Sequence, residues 1–449
     1  VIKLFSKKII TLLLSSLLLL LTIPFSVNAQ ESTTITTKNI NTIEKNLNNT
    51  SVSKDVYDVP TSVYTTDVTH DEAIAAALFH VASIQQVDKE SPWSGHNVEA
   101  SVPIEVYDAS NALHSYVINL EIDGDPAGYV EIANNSRDFP VISFSEESQI
   151  INSAEENSLN AKVRAVAKGK KEESSKVITF GPGRVGLKVD YKDGSANLAT
   201  SDEVEAITSL DNHSIQKTKD STNNESKKIW EEIEQIAEDY STGDIGNDSD
   251  GVTDDIKESG YDSVNSYSIY GVGDANQYYS SLWDGPSGCA PTSAYNVMYY
   301  WHYEKGLTRL LRNDSGDGYV DKDDAIALMR DLMNTDDEGN TYISKQDNAM
   351  EDFADEKGYK AASALSSDPS WTRVKNDIRI GPSLLSFLGQ DYYGDHTVVG
   401  VGFKEYSYDG STVGHRYMKV HDNWGNTPKS VYIAYNRNYD TMYSCYFEI

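Results

Sequence analysis

Gly285-Pro286-Ser287-Gly288-Cys289-Ala290-Pro291-Thr292 passes abruptly from turn residues into a helical pattern. Pro291 suits a first helical turn, where a missing N–H costs nothing. Ala290, Ala294, Val297, Met298 and Trp301 then recur at helical spacing. The pattern predicts that Cys289 stands at or beside a helix N-terminus. There the helix dipole and free N–H groups favour the thiolate, the reactive form of the side chain. The flanking glycines let a substrate approach the backbone closely. The other cysteine, Cys445, lies in Tyr443-Ser444-Cys445-Tyr446-Phe447, an aromatic-rich strand pattern in which a small buried residue is expected. Two cysteines in 449 residues are too few for a disulfide framework.

A thiolate nucleophile needs a base that holds a proton near neutral pH. The C-terminal region offers His302, His396, His415 and His421. His302 lies thirteen residues along the same helix, roughly 20 Å away, and is excluded. His415 and His421 flank a strand pattern. His396 follows the loop Gln390-Asp391-Tyr392-Tyr393-Gly394-Asp395 and precedes Thr397-Val398-Val399-Gly400-Val401-Gly402-Phe403, at the mouth of a buried strand. A third residue must accept the imidazole's other N–H and fix its tautomer. His421-Asp422-Asn423-Trp424-Gly425 follows the strand Arg416 to Val420, so Asp422 or Asn423 can serve, on opposite faces of a strand.

Gly288-Cys289-Ala290-Pro291-Thr292-Ser293, Gly394-Asp395-His396-Thr397-Val398-Val399-Gly400 and Val420-His421-Asp422-Asn423-Trp424-Gly425 together resemble papain-like cysteine peptidases, most of all the bacterial double-glycine-peptidase-like branch. The resemblance covers roughly residues 267–449. It implies an α+β fold in which a helix bearing the cysteine packs on an antiparallel sheet bearing the histidine. It also implies a Cys289–His396–Asp422 triad, with Asn423 in reserve, acting on protein or peptide through a thioester. Papain-like enzymes carry an upstream glutamine that helps bind the oxyanion. Gln277 in Asn276-Gln277-Tyr278-Tyr279 is the candidate, and its twelve-residue separation from Cys289 requires a loop insertion. The same trio serves cell-wall amidases and other thiol acyl hydrolases, and a non-catalytic binding module on this fold is a third reading.

Upstream, Lys3, Lys7 and Lys8, an apolar run from Ile9 to about Leu21, and Val27-Asn28-Ala29 form an export-signal pattern. Residues 1–29 are expected to be a signal peptide and 30–66 a disordered lead-in rich in Thr, Asn and Ser. An α+β domain is expected over 67–210. It opens on the capping box Thr69-His70-Asp71-Glu72 and continues with strands His114 to Ile122, Gly128 to Ala133 and Pro140 to Ser145. This part resembles the propeptides of streptopain-like peptidases, which implies contact with the catalytic domain in cis. An acidic linker over 211–265 holds one amphipathic helix, with Ile229, Trp230, Ile233, Ile236 and Tyr240 on one face. That face needs a partner and is expected to lie against the catalytic cleft. The catalytic domain is expected over 266–449.

The net charge of −31 argues against nucleic acid or an anionic membrane surface as partner. After the signal no apolar run is long enough for stable membrane insertion. No cofactor is required by the expected chemistry. Asn313-Asp314-Ser315-Gly316-Asp317-Gly318-Tyr319-Val320-Asp321-Lys322-Asp323-Asp324 resembles a calcium loop, but its weak ligands at positions 1 and 3 and Asp in place of Glu at the last favour an acidic turn leading into a helix, Asp324 to Met333.

Overall fold

Thr69 opens the first helix as its capping box requires. Its hydroxyl accepts the Glu72 N–H, and the Glu72 carboxylate accepts the Thr69 N–H at 2.6 Å. The computed structural model describes residues 67–108, 111–151, 153–181, 184–200, 204–207, 223–242, 260–312, 321–390, 394–425, 427–437 and 441–449. The expected signal and lead-in, most of the linker and residues 313–320 of the calcium-like loop lie outside them. Among the described residues no helix is long and apolar enough to cross a membrane.

The N-terminal half runs α1 (His70–Val87), β1 (Glu99–Ala100), β2 (Ile104–Tyr107), β3 (Leu113–Ile122), β4 (Asp125–Ala133), β5 (Val141–Ser145), α2 (Ser153–Val166), β6 (Glu172–Gly181), β7 (Arg184–Tyr191), β8 (Ala196–Ala199), β9 (Val204–Ile207) and α3 (Asn223–Thr242). Asp123 and Gly124, both at positive φ (55° and 84°), make the tight turn between β3 and β4 that their sequence signals. The C-terminal half runs β10 (Ser263–Ser268), α4 (Cys289–Tyr303), α5 (Lys322–Met333), α6 (Gln346–Glu356), β11 (Ala362–Ser367), α7 (Trp371–Ile380), β12 (Ser383–Gln390), β13 (Gly394–Ser407), β14 (Arg416–His421), β15 (Val431–Ala434) and β16 (Thr441–Glu448). β10 straddles the expected domain start at 266 and pairs with β13 from Ser263 onward.

One continuous sheet links the halves, in the order β11-β16-β12-β13-β14-β15-β5-β4-β3-β2-β6-β7-β8-β9, with β10 on β13 and β1 on β3. All pairings are antiparallel except β2 with β6. Alternation along β13, with a register shift at Gly400–Gly402, sorts its side chains between two layers. Val399 and Val401 pack with Ala294, Val297 and Met298 of α4, and Val398 and Phe403 pack with Trp371, Val374 and Ile378 of α7. The cysteine-bearing helix therefore lies on one face of the sheet and α7 on the other. Cys445 is fully buried under α4, and burial raises its thiol pKa far above the usual range, as a structural cysteine requires.

The amphipathic helix does not lie on the catalytic cleft. Ile229, Trp230, Ile233 and Ile236 of α3 join a core with α1, Phe139, Tyr261 and Tyr406. The Trp230 indole N–H donates to the Asp138 carbonyl at 2.7 Å. The reason lies in α1, whose alanines from Ala73 to Ala82 are buried on almost every side. Such a helix needs a cover on its outer flank, and α3 supplies it at roughly 1.5–3 kcal/mol for each large apolar side chain buried.

Six of the described histidines are buried, and four of them lie deep in the two cores and beside the sheet. Burial pushes His415, beside Arg437, down to about 3. It lowers His114 and His421 to about 4 and holds His80 well below its usual value. Below about pH 6.5 the unfolded chain protonates these rings and the folded chain does not, so stability falls as pH drops from about 6.5 toward the folded values. Glu131 opposes this. Burial raises it to about 7, so its contribution is lost as pH rises from about 4.5 to that value. His415→Phe is expected to remove up to about 2 kcal/mol of the acid-side loss between about pH 6.5 and 5. Urea titrations of both proteins at the two pH values measure it, and an unchanged pH difference would contradict the assignment.

Candidate active site

Cys289 is the first residue of α4, and Gly288 before it sits at φ 81°. A Cβ at Gly288 would lie 2.6 Å from the Gly339 carbonyl oxygen, so glycine is required there. The turn is built by hydroxyls: Thr292 Oγ1 donates to the Gly288 carbonyl at 2.7 Å and lies 2.8 Å from Ser287 Oγ. Arg330, buried on α5, donates to the carbonyls of Pro286, Asp284 and Asp336 and fixes the approach to the cysteine. Cys289 is 8% exposed.

The separation between Gln277 and Cys289 is taken up by a closed loop. The Ser287 N–H donates to the Tyr278 carbonyl at 2.8 Å, the Tyr278 N–H donates to Ser287 Oγ at 3.2 Å, and Tyr279 bridges to Pro286. Residues 279–286 therefore fold outward, and Gln277 adjoins a residue paired two positions before the cysteine. Its Oε1 is buried with no hydrogen-bond partner among the described residues.

His396, the third residue of β13, is 4% exposed, with the Trp424 ring stacked on it at 4.6 Å and 16°. Its Nε2 lies 2.9 Å from the backbone carbonyl of Asp422. A carbonyl only accepts, so Nε2 carries the proton, and Nδ1 is the basic nitrogen of the neutral ring. This link between Asp422 and His396 runs through the main chain. The Asp422 carboxylate accepts the Trp424 N–H at 3.0 Å and the Thr427 hydroxyl at 2.7 Å. This shapes the turn that carries the carbonyl.

Asn423 holds the site together. Its Nδ2 donates to Ser293 Oγ at 2.6 Å and to the Thr397 carbonyl at 3.1 Å, while its Oδ1 accepts from Asn296 Nδ2 at 3.0 Å. Its own carbonyl accepts the Gln277 N–H at 2.9 Å. Ser293 is one helical turn beyond Cys289 and donates to the same Thr397 carbonyl at 3.0 Å, next to His396. Gln346 extends the network, donating to Thr397 Oγ1 and Ser386 Oγ. With its amide committed this way, Asn423 does not orient the imidazole through its side chain.

The other histidines stand apart from this cluster. His302 Nδ1 accepts the Leu311 N–H, His421 Nδ1 donates to the Gly273 carbonyl, and His415 packs against Phe139 and Tyr261. Sequence reasoning missed Arg330, Ser293, Asn296 and Thr397. The signal available was polar residues inside otherwise apolar runs of a helix and a strand. Asp321 of the calcium-like segment caps α5 through the Asp323 and Asp324 N–H groups, and Asp323 accepts the Ser280 hydroxyl at 2.7 Å. Among the described residues no group of His, Cys, Asp and Glu is arranged to hold a metal.

A cysteine at a helix start on one face of an antiparallel sheet, with a histidine at the mouth of the sheet's central strand, gives the C-terminal region a papain-like α+β fold. Within that class, residues 275–447 match the model of the Peptidase_C39 like family. No curated protein matches the chain. Among solved structures, a mutant fragment (39–359) of prointerpain A from Prevotella intermedia is similar at 11% identity, over 60% of this chain and 98% of that one, with a TM-score of 0.26.

Asn423 occupies a left-handed conformation at φ 65°. Asn423→Ala is expected to destabilise the fold by roughly 3 kcal/mol or more, through the lost amide bonds and an unfavourable φ for alanine. Asn423→Gly relieves the second cost and is expected to recover about 1 kcal/mol. Chemical denaturation of both variants measures the difference. Equal stability of the two would mean that backbone strain contributes nothing.

Proposed function

We propose that the chain is an exported cysteine peptidase precursor that hydrolyses peptide bonds by acyl transfer to Cys289. His396 Nδ1 takes the thiol proton, and the thiolate attacks the scissile carbonyl carbon. The resulting oxyanion is met by the Cys289 N–H and the Gln277 amide. Collapse breaks the C–N bond, and the imidazolium gives its proton to the departing amine. His396 then deprotonates a water that attacks the thioester, releasing the carboxylate product and the thiol. The Asp422 carbonyl holds Nε2–H throughout, keeping Nδ1 as the base.

The observation that supports this reading is the Asn423 junction. It ties the first turns of the cysteine helix, the first residues of the histidine strand and the Gln277 segment to one amide and one carbonyl. Pre-set geometry of this kind is what acyl transfer needs, because small misplacements cost large factors in rate. The export pattern at residues 3–29 supports a substrate met outside the cell.

Cys289→Ala is expected to abolish hydrolysis of a protein substrate, while Cys445→Ala keeps most of it at some cost in stability. His396→Ala is expected to lower kcat by roughly 10²–10⁴-fold. Gln277→Ala is expected to lower it roughly 10²-fold with KM little changed. Casein and peptidoglycan zymograms run side by side decide the substrate class. Clearing of peptidoglycan alone would move the reading to a cell-wall amidase. A folded protein inactive on both, whose Cys289 resists iodoacetamide at neutral pH, would move it to a binding module.

A further inference from the structure

The seam between the two halves is built like an interior. Strand β15, the last of the C-terminal half's own sheet order, finds its outer neighbour in the N-terminal half, with Tyr432 opposite Phe144 and Ile433 opposite Ser143. Ser145 Oγ adds a bond to the Ser430 carbonyl at 2.9 Å. All four residues of β15 are buried, so without β5 the C-terminal half would present an apolar open edge.

Charge is buried across the same seam. Lys404 of β13 is gripped by both oxygens of Glu146 at 2.7 Å and by Asp88, the residue that ends α1, at 3.0 Å. The three side chains are 7%, 8% and 5% exposed. The Arg437 guanidinium, equally buried, donates to the backbone carbonyls of Phe139 and Val141.

Aromatic rings complete the fit. Phe144 stacks across the seam on Tyr432 at 4.6 Å and 8°, while Tyr261 stacks on Tyr406 within the C-terminal piece at 4.6 Å and 14°. The Tyr261 hydroxyl lies 2.8 Å from His80 Nδ1 of α1. The Phe139 ring is so close to Gly414 that a Cβ there would lie 2.4 Å from it.

We infer that residues 67–242 stay docked on residues 260–449 after the segment between them is cut, so that processing yields a two-chain assembly sharing one sheet. The partner of the β15 edge and of the Tyr406, Tyr417 and Tyr432 face is the chain's own N-terminal half. The inference rests on the seam alone and holds whether or not Cys289 is a nucleophile.

The test uses the full chain with Cys289→Ala and a site-specific protease sequence placed between residues 243 and 259. After complete cutting, gel filtration and native mass spectrometry are run at about 0.15 M and about 1 M salt, where the Debye length falls from ~8 to ~3 Å. Both pieces are expected in one species at either salt. Separation into two pieces at either salt, whether the C-terminal one stays soluble or precipitates, overturns the inference. Lys404→Met leaves two buried carboxylates without their cation and is expected to weaken association of the cut pieces by roughly 10²-fold or more. Lys228→Ala removes only the exposed pair with Asp409 and is expected to change it by less than about fivefold. Equal effects of the two variants would show that the buried cluster does not hold the halves together.

Discussion

The side chain of Asn423 is the constraint on which the candidate site depends. A helix, a strand and a loop distant in sequence must meet within fractions of an ångström, and one amide with a donor end and an acceptor end reaches the first two. Its donor end serves the helix hydroxyl and the strand carbonyl together, its acceptor end serves Asn296, and its backbone carbonyl takes the loop. Because these atoms are buried, each unmade bond would carry a desolvation cost, so the network favours a single arrangement. The left-handed backbone at Asn423 lets the chain leave β14, serve this junction and still present the Asp422 carbonyl to His396.

His396 is held from two sides. The carbonyl at Nε2 fixes the tautomer, and the stacked indole of Trp424 fixes the plane of the ring. The Asp422 carboxylate, bound to Trp424 and Thr427, steadies the turn that carries the carbonyl.

What was legible in the sequence was local. The capping box at Thr69, the Asp123-Gly124 turn and the cysteine at a helix start each depend on neighbours a few residues away, and each stands where the pattern placed it. The loop closing Tyr278 onto Ser287 was required by spacing, though its hydroxyl bonds were not foreseeable. The Asn423 junction was hidden because its partners lie 127 and 130 residues away and look like ordinary polar substitutions in apolar runs. The amphipathic face of α3 was plain, yet an amphipathic helix states only that it needs a cover. The polar surroundings of the linker gave no sign that the waiting surface was α1. The main-chain bond from Asp422 to His396 was hidden for a related reason, since residue type suggests a carboxylate and says nothing of the main-chain oxygen beside it.

The bond from Ser145 to Ser430 joins residues 285 positions apart. Such a pairing forms only after a very long loop has closed, and the entropy of closure grows slowly with length, so the tether still supplies a high effective concentration of one half for the other. While the connection is intact, reassembly after unfolding is a first-order event, indifferent to dilution. Once it is cut, the same strand pairing becomes a second-order encounter, and an assembly that survives as long as it stays folded loses its means of repair in dilute solution.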